Sequence, residues 1–130
     1  MSAFEVLALA GLCVTALVLI YIALSRQVTG SFAIAACLAA GFGAFTAVTI
    51  TQEGAEILWA NHTQNLWGIQ VWWDLLFSVS IALFFIVPRA RQVGMNIPLW
   101  TFLVAATASI ALLAMTARLF WLERQTVQSG

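Results

Sequence analysis

The chain contains no lysine, and all five of its basic residues are arginines. Charged residues of either sign make up 8% of the sequence, whereas a soluble domain carries roughly 25%. So few charges cannot cover the surface of a globule in water, which predicts that lipid surrounds most of the chain. The scattered arginines also exclude the basic surface that a nucleic-acid-binding protein presents.

Cysteine and histidine are scarce as well, with two cysteines and one histidine. Cys13 and Cys37 lie in separate apolar runs and not in a CxxC pair, which disfavours a metal or redox site. The sequence has no HExxH, Walker or paired-carboxylate motif. It therefore predicts a protein that is not an enzyme and that holds no metal.

Long apolar runs are what the chain has in abundance, since 63% of its residues are hydrophobic. A membrane-spanning helix needs about 20 mostly apolar residues, and four segments provide them: about 3–24, 32–50, 67–87 and 99–122. Backbone groups in lipid must bond within their own segment, so each run is predicted to be a helix. Short connections then predict an all-α, up-down bundle of four transmembrane helices, forming one domain over residues 1–130.

The arginines predict how this bundle is oriented. Three of them lie in the two connections that share one side of the predicted bundle: Arg26, Arg89 and Arg91. The connection on the opposite side carries Glu53 and Glu56 and no basic residue. Positive residues favour the cytoplasm, so the arginine loops are predicted inside and both termini outside, in a bacterial inner membrane. Arg118 and Arg124, near the outer end of the predicted fourth helix, argue against this orientation.

Asp74 is the one acidic residue well inside a predicted span. Gln70 and Ser78 lie four residues to either side of it, so the three share one helix face. In antiparallel third and fourth helices, Asp74 and Arg118 would lie at similar depth, and we predict that they pair, with Glu5 at the same level. Such a pair either fixes the register of the helices or belongs to an ion or proton path.

His62 and the tryptophans are the candidate cofactor-binding residues. His62 lies in the polar connection after the second span and is a candidate axial ligand to a haem or a chlorophyll-type pigment, although a lone histidine there is also typical of a solvated residue. Six tryptophans lie mostly near span ends, as in an interfacial belt. Trp72 and Trp73 lie deeper, and they are candidate contacts for a pigment, a carotenoid, a quinone, a bound lipid or a neighbouring helix.

Small residues form two ridges on the second span. One ridge consists of Ala36, Ala40 and Ala44, and the other of Ala39, Gly43 and Ala47. This four-residue spacing lets helix backbones approach closely in lipid. The ridges either pack inside the bundle or contact a partner subunit.

Several short motifs lie in the second half of the chain: Asp74-Leu75, Arg89-x-Arg91-x-x-Gly94-Met95, Leu99-Trp100 and the run from Leu119 to Arg124. Over about residues 72–124 they resemble a bacterial membrane family catalogued as domain of unknown function 2834. Two positions depart from the family's pattern. The family looks to favour an acid where this chain has Pro88, and a proline where it has Arg118. The resemblance implies a four-helix topology and no activity, since the family has none assigned.

These features predict a non-catalytic accessory subunit of a larger membrane complex, such as a photosynthetic or respiratory one. Its predicted partners are lipid and other membrane subunits or further copies of itself. The alternative is a small oligomeric transporter or channel that uses Asp74 and Arg118 along a polar path. Stoichiometric partners on purification would favour the first function, and self-association with activity that depends on Asp74 would favour the second.

Overall fold

The computed structural model describes residues 2–27 and 29–130, and this part of the chain is all-α. It forms six helices: α1 (Ala3–Leu24), α2 (Phe32–Glu53), α3 (Glu56–Thr63), α4 (Leu66–Gln92), α5 (Ile97–Thr107) and α6 (Ser109–Gln128). Three of them, α1, α2 and α4, are long and apolar enough to cross a membrane. The prediction of an all-α protein with helices of membrane-spanning length is therefore confirmed.

The first two helices begin where the sequence predicts. The Ser2 hydroxyl accepts the N–H of Glu5 at 3.2 Å, and the Glu5 carboxylate accepts the N–H of Ser2 at 2.6 Å, so Glu5 is engaged in a capping box of α1. The Ser31 hydroxyl caps α2. This helix continues to Glu53 and ends at Gly54, whose φ of 84° suits glycine.

The polar connection before the third span contains a helix that the sequence did not predict. This helix, α3, packs against the start of α4, where a Cβ at Gly68 would overlap the carbonyl of Asn61. Glycine at this position therefore permits the close approach. The next helix, α4, continues through Pro88 to Gln92. Helices of membrane-spanning length tolerate the loss of the backbone hydrogen bond that a proline removes.

The segment predicted as one helix over 99–122 is divided at Ala108 into α5 and α6. Ala108 has φ 48° and ψ −116°, a conformation that favours glycine. The Thr107 hydroxyl accepts the N–H of Ala111 at 3.2 Å and so satisfies a donor in the first turn of α6. The chain changes direction at this point.

After the break, α6 returns to the end of α4 from which α5 departs. The 11 residues of α5 lead away by about 16 Å at 1.5 Å per residue. Glu123 of α6 nevertheless contacts Arg89, near the C-terminal end of α4. This contact requires α5 and α6 to fold back on each other as a hairpin. The fourth continuous span is therefore not observed.

The other long helix beside the hairpin is α2, which runs antiparallel to α6. Phe32 lies near Arg124, and a Cβ at Gly43 would lie 3.7 Å from Ile110. Because Gly43 is near the middle of α2, the turn at Ala108 lies about halfway along that helix.

The buried core gathers around α6. Met115 and Leu119 of this helix are fully buried, and they share one cluster with Val104 of α5 and Ala90 of α4. By contrast, α1 contributes no buried residue. The packed part of the molecule is thus α2 and α4 against the hairpin.

All five arginines lie at one end of the molecule, which we call the arginine end: Arg26 between α1 and α2, Arg89 and Arg91 in the last turn of α4, and Arg118 and Arg124 toward the end of α6. The C-terminal end of α6 therefore lies with the arginine connections. The predicted arrangement, with both termini opposite those connections, differs from this structure because the hairpin turns the chain back.

Replacing Ala108 tests the reversal. Ala108→Gly should raise the free energy of unfolding by about 1 kcal/mol, because glycine adopts a positive φ without steric strain. Ala106→Gly, at an exposed position inside α5, should lower it by about 1 kcal/mol. Denaturant unfolding in detergent, followed by tryptophan fluorescence, measures both. Equal destabilisation by the two substitutions would contradict the reversal.

Candidate functional site

The described residues contain one ion pair, between Arg89 and Glu123. It is bidentate: Arg89 donates from Nε to Oε1 at 2.8 Å and from Nη2 to Oε2 at 2.6 Å. The ring of Phe120 lies 5.6 Å from the guanidinium carbon of Arg89. Two parallel charge-assisted hydrogen bonds fix both distance and orientation. The pair therefore holds α6 against the end of α4.

The sequence did not predict this pair, because a continuous fourth helix would separate Arg89 and Glu123 by the thickness of the membrane. One signal was available in the sequence. Glu123 directly follows the last apolar segment, and an acid close to lipid needs a basic partner.

The structure does not bring Asp74 and Arg118 together. Asp74 precedes Arg89 by about 22 Å along α4, and Arg118 precedes Glu123 by about 7 Å along α6. Since Arg89 and Glu123 are in contact, the predicted partners differ in depth by about 15 Å. The guanidinium of Arg118 instead lies 4.6 Å from the ring of Trp121.

Asp74 is exposed and points away from the core. Leu83 of the same helix packs against the core cluster, and nine residues correspond to two and a half helical turns. Asp74 therefore lies on the opposite side of α4 from Leu83. It shares a shallow hollow with Gln70 and the aromatic residues Trp67, Trp73 and Phe77, and Ser78 is exposed one turn further on. The predicted polar stripe thus exists, but on the outer surface.

The candidate cofactor residues fall in two separate places. His62 Nδ1 lies 2.6 Å from the carbonyl oxygen of Leu58, which can only accept, so Nδ1 carries the proton. The His62 ring is 5.4 Å from that of Trp72, which Trp59 contacts edge-on. Trp73 lines the hollow beside Asp74 instead. The two tryptophans do not form one binding site.

The small-residue ridges of α2 face different ways. Ala39 and Gly43 are half-buried on the side of α6, as packing within the molecule requires. The other ridge is exposed, and it forms part of what we call the outer face of α2: Ala33, Ala36, Cys37, Ala40, Gly41, Ala44 and Ala47. Two residues of one ridge therefore pack internally, while Ala47 of that ridge and the whole of the other ridge are exposed.

Known proteins supply no further assignment. No family model, curated protein or solved structure matches this chain. The resemblance of the second half to domain of unknown function 2834 stays a prediction. The described residues also contain no group of three or more side chains able to hold a metal ion.

A double-mutant cycle measures the ion pair that closes the fold. Arg89→Ala and Glu123→Ala should each destabilise the protein, and the coupling energy between them should be about 1 kcal/mol or more, because the hydrogen bonds are bidentate. Arg91→Ala, an exposed neighbour, serves as the control and should change stability by less than about 0.5 kcal/mol. A coupling energy near zero would mean that the pair does not hold α6 in place.

Proposed function

We propose that this protein is a non-catalytic subunit of a larger membrane protein complex, in which a helix of a partner subunit covers the Asp74 side of α4. The observation that carries the proposal is the outward position of Asp74. Its α4 is one of the helices long and apolar enough to span a membrane, and in such a span the carboxylate would meet lipid. Even on the lowest scales an acid at the centre of a span costs about 2.5–3.5 kcal/mol, and Asp74, eight residues after the start of α4, lies between that centre and the helix end.

No other part of the described chain compensates for this cost. The described residues offer Asp74 no ion pair, and the arginines lie at the far end of the molecule. A second copy at the same depth would bring two carboxylates together, and like charges repel. A different subunit that presents a basic or hydrogen-bonding side chain at this depth satisfies Asp74 best.

The outer face of α2 supports the same function. The exposed residues of α1 and α4 are mostly large, such as Phe4, Leu17 and Phe84, whereas α2 exposes the small residues of its outer face beside Phe42, Phe45, Val48 and Ile50. Helix interfaces in membranes are rich in small residues because these let backbones approach closely. A smooth face of this kind suits a neighbouring helix. The depth difference between Asp74 and Arg118 gives no support to a transport path that uses both residues.

The proposed topology has three spans and a hairpin that enters from the arginine end and turns within the membrane. With that end in the cytoplasm of a bacterial inner membrane, the N-terminus is outside and the C-terminus inside. The turn at Ala108 is then packed against α2 and not exposed to lipid, as irregular backbone at that depth requires.

Replacing Asp74 tests the proposed subunit contact. Tagged wild-type protein purified from its native membrane in mild detergent should carry a stoichiometric partner that has a membrane-spanning helix. Asp74→Asn should reduce the co-purified partner at least about tenfold, which corresponds to about 1.4 kcal/mol. Glu53→Gln makes the same chemical change at an exposed position and should retain the partner.

A second pair of variants tests the packing face in the same purification. Ala40→Leu adds bulk to the outer face of α2 and should also reduce the partner, whereas Ala105→Leu, exposed on α5, should not. Wild-type protein that purifies alone or only with itself would refute the proposed function. So would full retention of the partner by Asp74→Asn.

Cysteine labelling tests the topology. In a cysteine-free background, Ser129→Cys should not react with a membrane-impermeant maleimide in intact cells. It should react in inverted vesicles or after the membrane is permeabilised. Ser2→Cys should react from the outside of intact cells. Labelling of both positions from the same side would support four continuous spans and exclude the re-entrant hairpin.

A further inference from the structure

An apolar cleft separates α1 from α2 and α6 near the arginine end. Its volume is about 320 Å³, within the range of about 300–1,000 Å³ that ligand sites occupy. The inner part is lined by aliphatic side chains, among them Val18, Ile34 and Leu38. The last turns of α1 form one wall, although α1 has no buried residue.

The part of the cleft next to the α1–α2 connection is polar. Ser25, Gln27 and Ser31 line it there. Because the Ser31 hydroxyl caps α2, this part of the cleft lies beside the N-terminus of that helix, where the first N–H groups have no helical partner. Helix N-termini favour anions. The cleft therefore combines an apolar interior with a polar mouth.

Two arginines lie near this mouth, although neither side chain lines the cleft. Arg26 lies between Ser25 and Gln27 in sequence, and the guanidinium of Arg124 lies 6.0 Å from the ring of Phe32, next to Ser31. Neither arginine belongs to an ion pair among residues 2–27 and 29–130. Positive charge at the mouth and apolar surface behind it match one class of molecule, an acyl chain that ends in a negatively charged headgroup.

We propose that this cleft binds an anionic phospholipid, with one acyl chain between α1, α2 and α6 and the phosphate held by Arg26 and Arg124. Basic sites between membrane helices recognise anionic lipid headgroups through this combination. The bound chain fills the space between α1 and the rest of the molecule, so lipid mediates the attachment of α1. This inference does not depend on the partner subunit proposed above.

Native mass spectrometry of the purified full chain tests the proposal. Protein stripped of lipid is offered equal amounts of phosphatidylglycerol and phosphatidylcholine with identical acyl chains. The wild type should retain one phosphatidylglycerol with a preference of about thirtyfold, since each of the two arginines near a headgroup contributes about fivefold. In Arg26→Gln/Arg124→Gln the preference should fall to about one. Arg91→Gln removes an exposed arginine of the same end and should keep the preference.

Two further experiments distinguish the contribution of the acyl chain to binding from that of the headgroup. Leu38→Trp fills the cleft and should abolish retention of both lipids, while glycerol phosphate at millimolar concentration should not displace the bound lipid. Equal retention of the two lipids by the wild type would overturn the proposal. So would an unchanged preference in the double variant, or displacement of the lipid by glycerol phosphate, which would indicate a site for free phosphate.

Discussion

Because the chain turns back at Ala108, the C-terminal end of α6 lies beside the end of α4 and not at the opposite end of the molecule. The bidentate pair of Arg89 and Glu123 can form only in this arrangement, and so can the buried cluster around Met115 and Leu119. A strained residue at the turn is thus offset by contacts along the whole of α6. The position of α2 follows from the same reversal, since it packs along the returning helix.

Length and hydrophobicity were sufficient to predict α1, α2 and most of α4, because a run of about 20 apolar residues in lipid has few alternatives to a helix. They were not sufficient at Ala108. No glycine or proline marks that position, and an apolar run that reverses halfway has the same composition as one that crosses. The third span was predicted to end at residue 87, directly before Pro88, but the helix continues through this proline. At such positions, tertiary packing determines where a helix ends more than the intrinsic helix propensity of the residues does.

The candidate site was predictable where it depended on one helix and unpredictable where it depended on two. The shared face of Gln70, Asp74 and Ser78 follows from helical periodicity alone. A pairing of Asp74 with Arg118 needed the relative depth of two helices, and the hairpin changes that depth by more than a side chain can span. The two ridges of α2 could be predicted to the same extent. Their four-residue spacing identifies both, but which one packs internally depends on the position of α6, which the spacing does not give.

The collection of all five arginines at one end has an electrical consequence. In the proposed orientation these charges lie on the negative side of an energised bacterial membrane. Moving one elementary charge across costs about 2.3 kcal/mol for each 100 mV. Inverting the protein would carry five arginines against that field, with one of them accompanied by Glu123. The membrane potential would therefore oppose the inverted orientation, and a cell that loses its potential would lose that contribution when it inserts new copies.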